Sequence, residues 1–278
     1  YYTACRALLD ASERGAEARD AWARAYPFDV RPPIDDRPFF GHFFRWRQLP
    51  ELLAAAGHTW QPFGGAGYLV LLVLLTLAVL ASTFLIVLPL AVKRGASLPQ
   101  EGGGRILAYF GLLGLGYMSV EIPLMQRFSL LLGHPAWSMA AVLGAVLTFS
   151  GIGSRLSAGV PLCVALVGIP ILAGGYALGL PALFEWALVL PLWARFAACV
   201  ATLAPLGLLM GMPFPKGVAR LGRRSWIAWA WASNGALSVI ASILAALISL
   251  GWGFSAVLWT GAGCYLAAMV VRPRSPAR

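Results

Sequence analysis

The sequence predicts an all-α fold: a polytopic bundle of about seven transmembrane helices behind a short soluble N-terminal segment. Three observations carry this. Of 278 residues, 59% are hydrophobic and only 12% charged, and mean hydropathy is +0.75; a soluble domain is nearer half apolar and a quarter charged. Seven apolar runs approach or exceed the roughly 20 residues that a spanning helix needs. The charge is also uneven. Residues 1–66 balance eight Arg against eight acids, whereas residues 67–278 hold thirteen Lys or Arg against Glu101, Glu121 and Glu185. That excess of basic residues at the ends of apolar runs is a membrane pattern, not a nucleic-acid one.

The elements follow in order. Residues 4–25 (ACRALLDASERGAEARDAWARA) read as a soluble helix, with Leu8, Leu9, Ala16 and Trp22 at roughly helical spacing. Residues 26–46 contain four prolines and cannot continue it. A short helical piece is expected at 50–56, then a Gly-rich lead-in at Gly64-Gly65. The spans are expected at 67–92, 105–127, 136–154, 159–180, 190–212, 226–250 and 253–271. Residues 184–193 either extend the fifth span or lie in the interface. The sequence thus divides into 1–66 and 67–278. It opens on Tyr1-Tyr2-Thr3, with neither an initiator Met nor a signal-peptide n-region, and reads as a piece of a longer protein.

Seven spans put the termini on opposite sides. Eleven basic residues flank the C-terminal side (Lys93, Arg94, Arg105, Arg155, Lys216, Arg220, Arg223, Arg224, Arg272, Arg274 and Arg278) and four the other (Arg45, Arg47, Arg127 and Arg195). The positive-inside bias then expects a cytoplasmic C-terminus and an external 1–66.

Four constellations could carry chemistry. Glu121 lies deep in the second span, where an ionisable group costs roughly 2.5–3.5 kcal/mol. Tyr117 precedes it by one turn, and Gln126 and Arg127 follow. Arg127 falls about 240° around the helix, off Glu121's face. Pro123 is expected to open the helix near the acid. The group is either an intramembrane site or a structural ion pair. GMPFPKG at 211–217 and the arginines after it give Lys216, Arg220, Arg223 and Arg224: a stiff basic loop, or one that gates or contacts anions. Gly207 and Gly211 form a GxxxG that permits close helix contact. Asn234 in WAWASNGALS is packing glue or pore lining, and SGIGS at 150–154 has the same small-residue character. Asp35 and Asp36 could hold a cation or polyamine, or cap a turn and pair with Arg37.

The four cysteines and three histidines show no metal spacing, and Gly102-Gly103-Gly104 follows no strand, so it reads as a linker. Neither GxGxxG, a P-loop, HExxH nor GxSxG is present.

DDRPFF at 35–40 and FFRW at 43–46 precede YFGLLGLGYMSVEIPLMQRF at 109–128 and LGHPAWSMAAVLGAVLTFSGIGS at 132–154. GMPFPKG at 211–217 and WAWASNGALSV at 229–239 complete the series. Together, from about residue 26 onward, they resemble large bacterial membrane proteins of the spermidine-synthase-like, or fused transporter/spermidine-synthase, group. The resemblance implies that 1–66 is the tail of a soluble methyltransferase-fold domain with its exit, and that 67–278 is a C-terminal membrane domain. An S-adenosylmethionine-type cofactor would belong to the upstream domain. No aminopropyl-transfer motif is present, so no catalytic residue carries over. A domain using that cofactor should face the cytosol, whereas the basic count places 1–66 outside.

The expected function is a membrane domain that anchors, or channels substrate for, a soluble transferase domain. The alternatives are a transporter or exporter half for a polyamine or other cation, with Glu121 as the coupling group, and a purely structural membrane domain. Expected partners are the bilayer of a bacterial inner membrane, anionic lipids and the upstream domain, with no nucleic acid.

Overall fold

Gly15 breaks the first helix. The stretch read as one helix over 4–25 is two, α1 (Tyr2–Glu13) and α2 (Ala16–Ala25), because Gly15 takes φ 111°, which side-chain-bearing residues rarely adopt. The structure, a computed structural model, describes residues 2–40, 43–55, 66–92, 103–221 and 225–273. After α2 the chain runs extended past its prolines to a 3-10 turn (Trp46–Gln48) and α3 (Leu49–Ala55).

Contacts divide the chain into two compact units, Tyr1–Leu72 and Val73–Arg278. The division falls inside α4 (Ala66–Ser82), just beyond the change of composition at residue 66. Within the first unit, Arg45 donates to the carbonyls of Ala23, Arg24 and Phe28, covering acceptors at and just beyond the end of α2. Trp22 stacks on Tyr26 and Phe44 packs on Tyr68.

Among the described residues, seven helices are long and apolar enough to cross a membrane: Gly67–Val87, Gly103–Leu132, Pro135–Gly159, Leu162–Ala187, Leu192–Val218, Trp226–Trp252 and Phe254–Val271. The protein is thus a multi-pass helical membrane protein. The observed spans track the expected ones. The fourth runs on through Phe184 and Trp186, which turns at Leu188–Leu190 then separate from the fifth.

The first span begins as α4, passes through a π-helical turn at Thr83–Val87 and ends as α5 (Leu88–Val92). Pro89 supplies no N–H, which accounts for the altered ladder just before it. This span is exposed almost all round, as befits a helix facing lipid.

The bundle is built on α6 (Gly103–Leu132), its most buried helix. Gly103 and Gly104, read as linker, open this helix. Pro123 does not interrupt it: the ring is buried among neighbours that hold the backbone in place. Around α6 pack α7 (Pro135–Leu156), α11 (Ser225–Trp252) and α12 (Phe254–Val271). The fourth span, α8 (Leu162–Ala187), packs on α12, and α9 (Leu192–Met210) on α7.

Small residues set the crossings, because close backbone approach replaces the hydrophobic drive that lipid removes. A Cβ on Gly211 would lie 1.9 Å from the Ser150 carbonyl, and one on Gly114 would lie 2.3 Å from the Asn234 carbonyl. Gly207 of the same GxxxG lies against Phe149.

GMPFPKG is not an open loop. It folds into α10 (Pro213–Val218), whose early prolines suit a helix start. Tyr109 donates to the Pro213 carbonyl at 2.8 Å, and Phe110 meets Phe214 edge to face. The short helix is thereby pinned to α6.

Candidate functional site

The prolines and glycines that shape these helices also leave a gap between them. A cavity of about 460 Å3 is floored by Leu113, Tyr117 and Met118 of α6. Leu147, Ser150, Gly151 and Ser154 of α7 form one wall. Trp231, Asn234 and Ser238 of α11 form the other, with Tyr265 of α12 behind them. Pro213, Phe214 and Pro215 of α10 close one end. Three of the sequence motifs therefore meet here: GMPFPKG, WAWASNGALS and SGIGS, together with Tyr117.

The exposed lining residues are Leu147, Gly151 and Trp231, on the outward faces of α7 and α11. The mouth thus opens sideways between those two helices. The interior is mostly apolar, with four aromatic rings. Phe214 and Trp231 hold each other at 4.6 Å between centroids. The polar groups are few: the Tyr117 and Tyr265 hydroxyls, the serine hydroxyls and the Asn234 amide.

Asn234 contributes to packing as well as lining. Its Nδ2 donates to the Phe110 carbonyl at 3.1 Å, and Ser233 Oγ donates to that of Leu107 at 2.7 Å. These bonds lock α11 to α6 and fix the wall.

Glu121 is not in the lining. It lies behind it, one turn beyond Tyr117 and near Tyr265, both of which are. Only 4% of the residue is exposed, and its Oε1 has no hydrogen-bond partner among the described residues. A buried carboxylate oxygen without a donor is rare, because desolvation is then uncompensated.

Arg127 does not join it. Equally buried, it points to α8 and α12, donating to the carbonyls of Tyr176 at 3.2 Å and Ala177 at 3.4 Å and to Ser255 Oγ at 2.6 Å. It is a bundle clamp, not a counter-ion for Glu121, and it does not belong in a tally of loop charges. Arg195 acts similarly, donating to the carbonyls of Leu188, Leu190 and Leu131. Gln126 is exposed on the outer face of α6.

Of the basic cluster, Lys216 is half-buried on α10. Arg220 is half-buried beyond it, with an Nη1 that finds no acceptor among the described residues. Arg223 and Arg224 lie outside the described residues.

Asp35 and Asp36 occupy a tight turn closed by Arg37 N–H donating to the Ile34 carbonyl at 2.7 Å. Asp35 is exposed. Arg37 turns instead to Asp29, which sequence reasoning passed over. Buried Asp29 accepts a bidentate pair from Arg31 at 2.8 and 2.7 Å and a third bond from Arg37 at 2.8 Å. The Arg31 hydrogen bonds hold its carboxyl well below the usual carboxylate range and push the Arg31 guanidinium up. Alternating Asp and Arg over 29–37 was the available signal.

Among the described residues no three His, Cys, Asp or Glu side chains gather to hold a metal. Comparison with protein families, curated proteins and solved structures gives no match to the chain.

Proposed function

We propose that this chain is a membrane domain that holds an amine substrate in an intramembrane pocket, on behalf of a soluble transferase domain of the spermidine-synthase-like kind. The observation that carries the reading is the aromatic-walled cavity with a buried carboxylate behind it, one of whose oxygens has no hydrogen-bond partner among the described residues. Tyr117, Phe214, Trp231 and Tyr265 present ring faces or edges, and an ammonium is attracted to ring faces in a desolvated site. Glu121 supplies negative charge one turn from Tyr117. The motif resemblance supports the transferase partner, whose S-adenosylmethionine-type cofactor belongs to a domain upstream of residue 1. Within the reading, the substrate is a polyamine or a lipid-soluble amine. The domain sits in a bacterial inner membrane with its C-terminus cytoplasmic, and Lys216 and Arg220 with their neighbours contact anionic lipid.

The test is saturable binding of radiolabelled spermidine and octylamine to the protein in phosphatidylcholine nanodiscs. Gly151→Trp should remove it, since nothing lies within 4 Å of a Cβ there and the indole can fill the mouth without forcing the helices apart. No saturable binding of either amine, or binding indifferent to Gly151→Trp, would overturn the reading.

A second reading, a transporter or exporter half, is favoured by the partnerless Glu121 oxygen, which suits a proton or cation. Amine uptake into proteoliposomes that responds to an imposed pH gradient and vanishes in Glu121→Gln would support it.

A further inference from the structure

Resting on the pocket reading above, we infer that its substrate is a lipid-soluble amine bearing a single positive charge, entering sideways from the bilayer between α7 and α11, and not a polyamine.

The mouth comes first. Leu147 and Trp231 are 60% and 62% exposed; Leu147 lies mid-helix on α7, and Trp231 lies within α11, about a turn and a half from its start. Whatever passes between them crosses the apolar belt of the bundle. At the end nearer the basic residues, α10 blocks direct entry, held by Tyr109 on the Pro213 carbonyl. A molecule that dissolves in lipid reaches this mouth; a polycation does not, because several ammonium groups in hydrocarbon are prohibitive.

Charge counting gives the same answer. The second unit carries three acids in all, Glu101, Glu121 and Glu185. Glu185 is exposed near the end of α8, and Glu101 lies outside the described residues. Among the described residues the pocket thus has one compensating carboxylate, Glu121. The groups flanking its closed end are positive: Arg155 follows the lining residue Ser154, and Lys216 follows Pro215. One ammonium near Tyr117 and Tyr265 is neutralised by Glu121 and favoured by the rings. A second or third would sit in an apolar cavity beside cations. The remaining wall (Leu113, Met118, Leu147, Met210) matches an alkyl body.

The experiment uses the nanodisc binding assay with octylamine as the single-charge probe and spermidine as the polyvalent competitor, read above the background of empty nanodiscs. Octylamine should bind saturably, and Glu121→Gln, which keeps the shape and removes the charge, should weaken it at least tenfold. Spermidine at equal concentration should leave octylamine bound. Competition by spermidine as strong as by unlabelled octylamine would overturn the single-charge assignment while leaving the pocket reading intact. Unchanged octylamine affinity in Glu121→Gln would overturn the role of the carboxylate. Loss of saturable binding by both amines would remove the pocket reading as well. A melting temperature for Glu121→Gln within a few degrees of the parent's separates lost binding from lost folding; if the variant melts lower, Gly151→Trp carries the comparison.

Discussion

Arg127 donates to the carbonyl of Ala177, the oxygen that Pro181 leaves without its helical N–H four residues on. A proline in one helix and an arginine in another are thus two halves of one device. The proline exposes a carbonyl inside the bundle, and the guanidinium fork satisfies it together with the Tyr176 carbonyl and Ser255 Oγ.

From this follows a coupling between the two positions. Arg127→Met should destabilise the bundle by about 1–3 kcal/mol, since it leaves buried acceptors unpaired. Pro181→Ala restores the missing donor, so the arginine substitution should cost less in that background, with a coupling of at least about 0.5 kcal/mol. Thermal unfolding of the four proteins in one detergent measures it, and strict additivity would refute the pairing.

The α7–α9 crossing is set by Gly211. An Ala there needs the Ser150 carbonyl to move, because its Cβ would lie 1.9 Å away. Gly211→Ala should cost about 1–3 kcal/mol. Gly144→Ala, which meets nothing within 4 Å, should fall within about 0.5 kcal/mol of the parent. Melting curves for the pair decide the matter.

In the first unit, Asp29 makes stability depend on pH. Its carboxyl titrates lower folded than unfolded, so the unfolded chain binds the extra proton as pH falls. The contribution is fully present above the unfolded value near 4, and drains away as pH drops toward the depressed folded value. Amide exchange across residues 16–45, corrected for intrinsic rates, should slow less and less relative to Asp29→Asn as pH is lowered from 7 to 3. A parent and variant that differ equally at both pH values would contradict this.

Sidedness is checked by reporter fusions. Fusions after Arg94 and after Arg224 should report cytoplasm, and one at Gly65 the outside. The direction rests on the basic residues flanking the spans, and withdrawing Arg127 from the smaller group only strengthens it. A cytoplasmic signal from all three would reverse the external placement of the N-terminal segment.

The spans were legible in the sequence because the length of an apolar run is a local property: an uninterrupted stretch such as 67–87 needs no partner to be recognised. The site was legible in pieces. Tyr117, Asn234 and GMPFPKG stand out individually as polar or proline-rich within apolar surroundings. Their meeting depends on Gly114 drawing α6 to α11 and Gly211 drawing α9 to α7, which no single stretch encodes. Arg127 misled for the same reason. Six residues from Glu121 it resembles a counter-ion or loop charge, and only α8, where Pro181 leaves the Ala177 carbonyl without its helical donor, explains where its guanidinium goes. The break at Gly15 was readable in principle, but the helix-forming residues on either side outweighed one glycine.

The sideways mouth between α7 and α11 also fixes what concentration means for this pocket. A ligand arriving through it is drawn from the two-dimensional pool dissolved in the leaflet, so the rate of filling follows its mole fraction in lipid, which partitioning ties to its molarity in water. Adding empty vesicles at constant total ligand should empty the pocket by dilution, although the volume and the protein stay the same. Two amines with identical fit would then differ in apparent affinity by the ratio of their partition coefficients, each extra buried methylene contributing about 0.8 kcal/mol before the protein is touched.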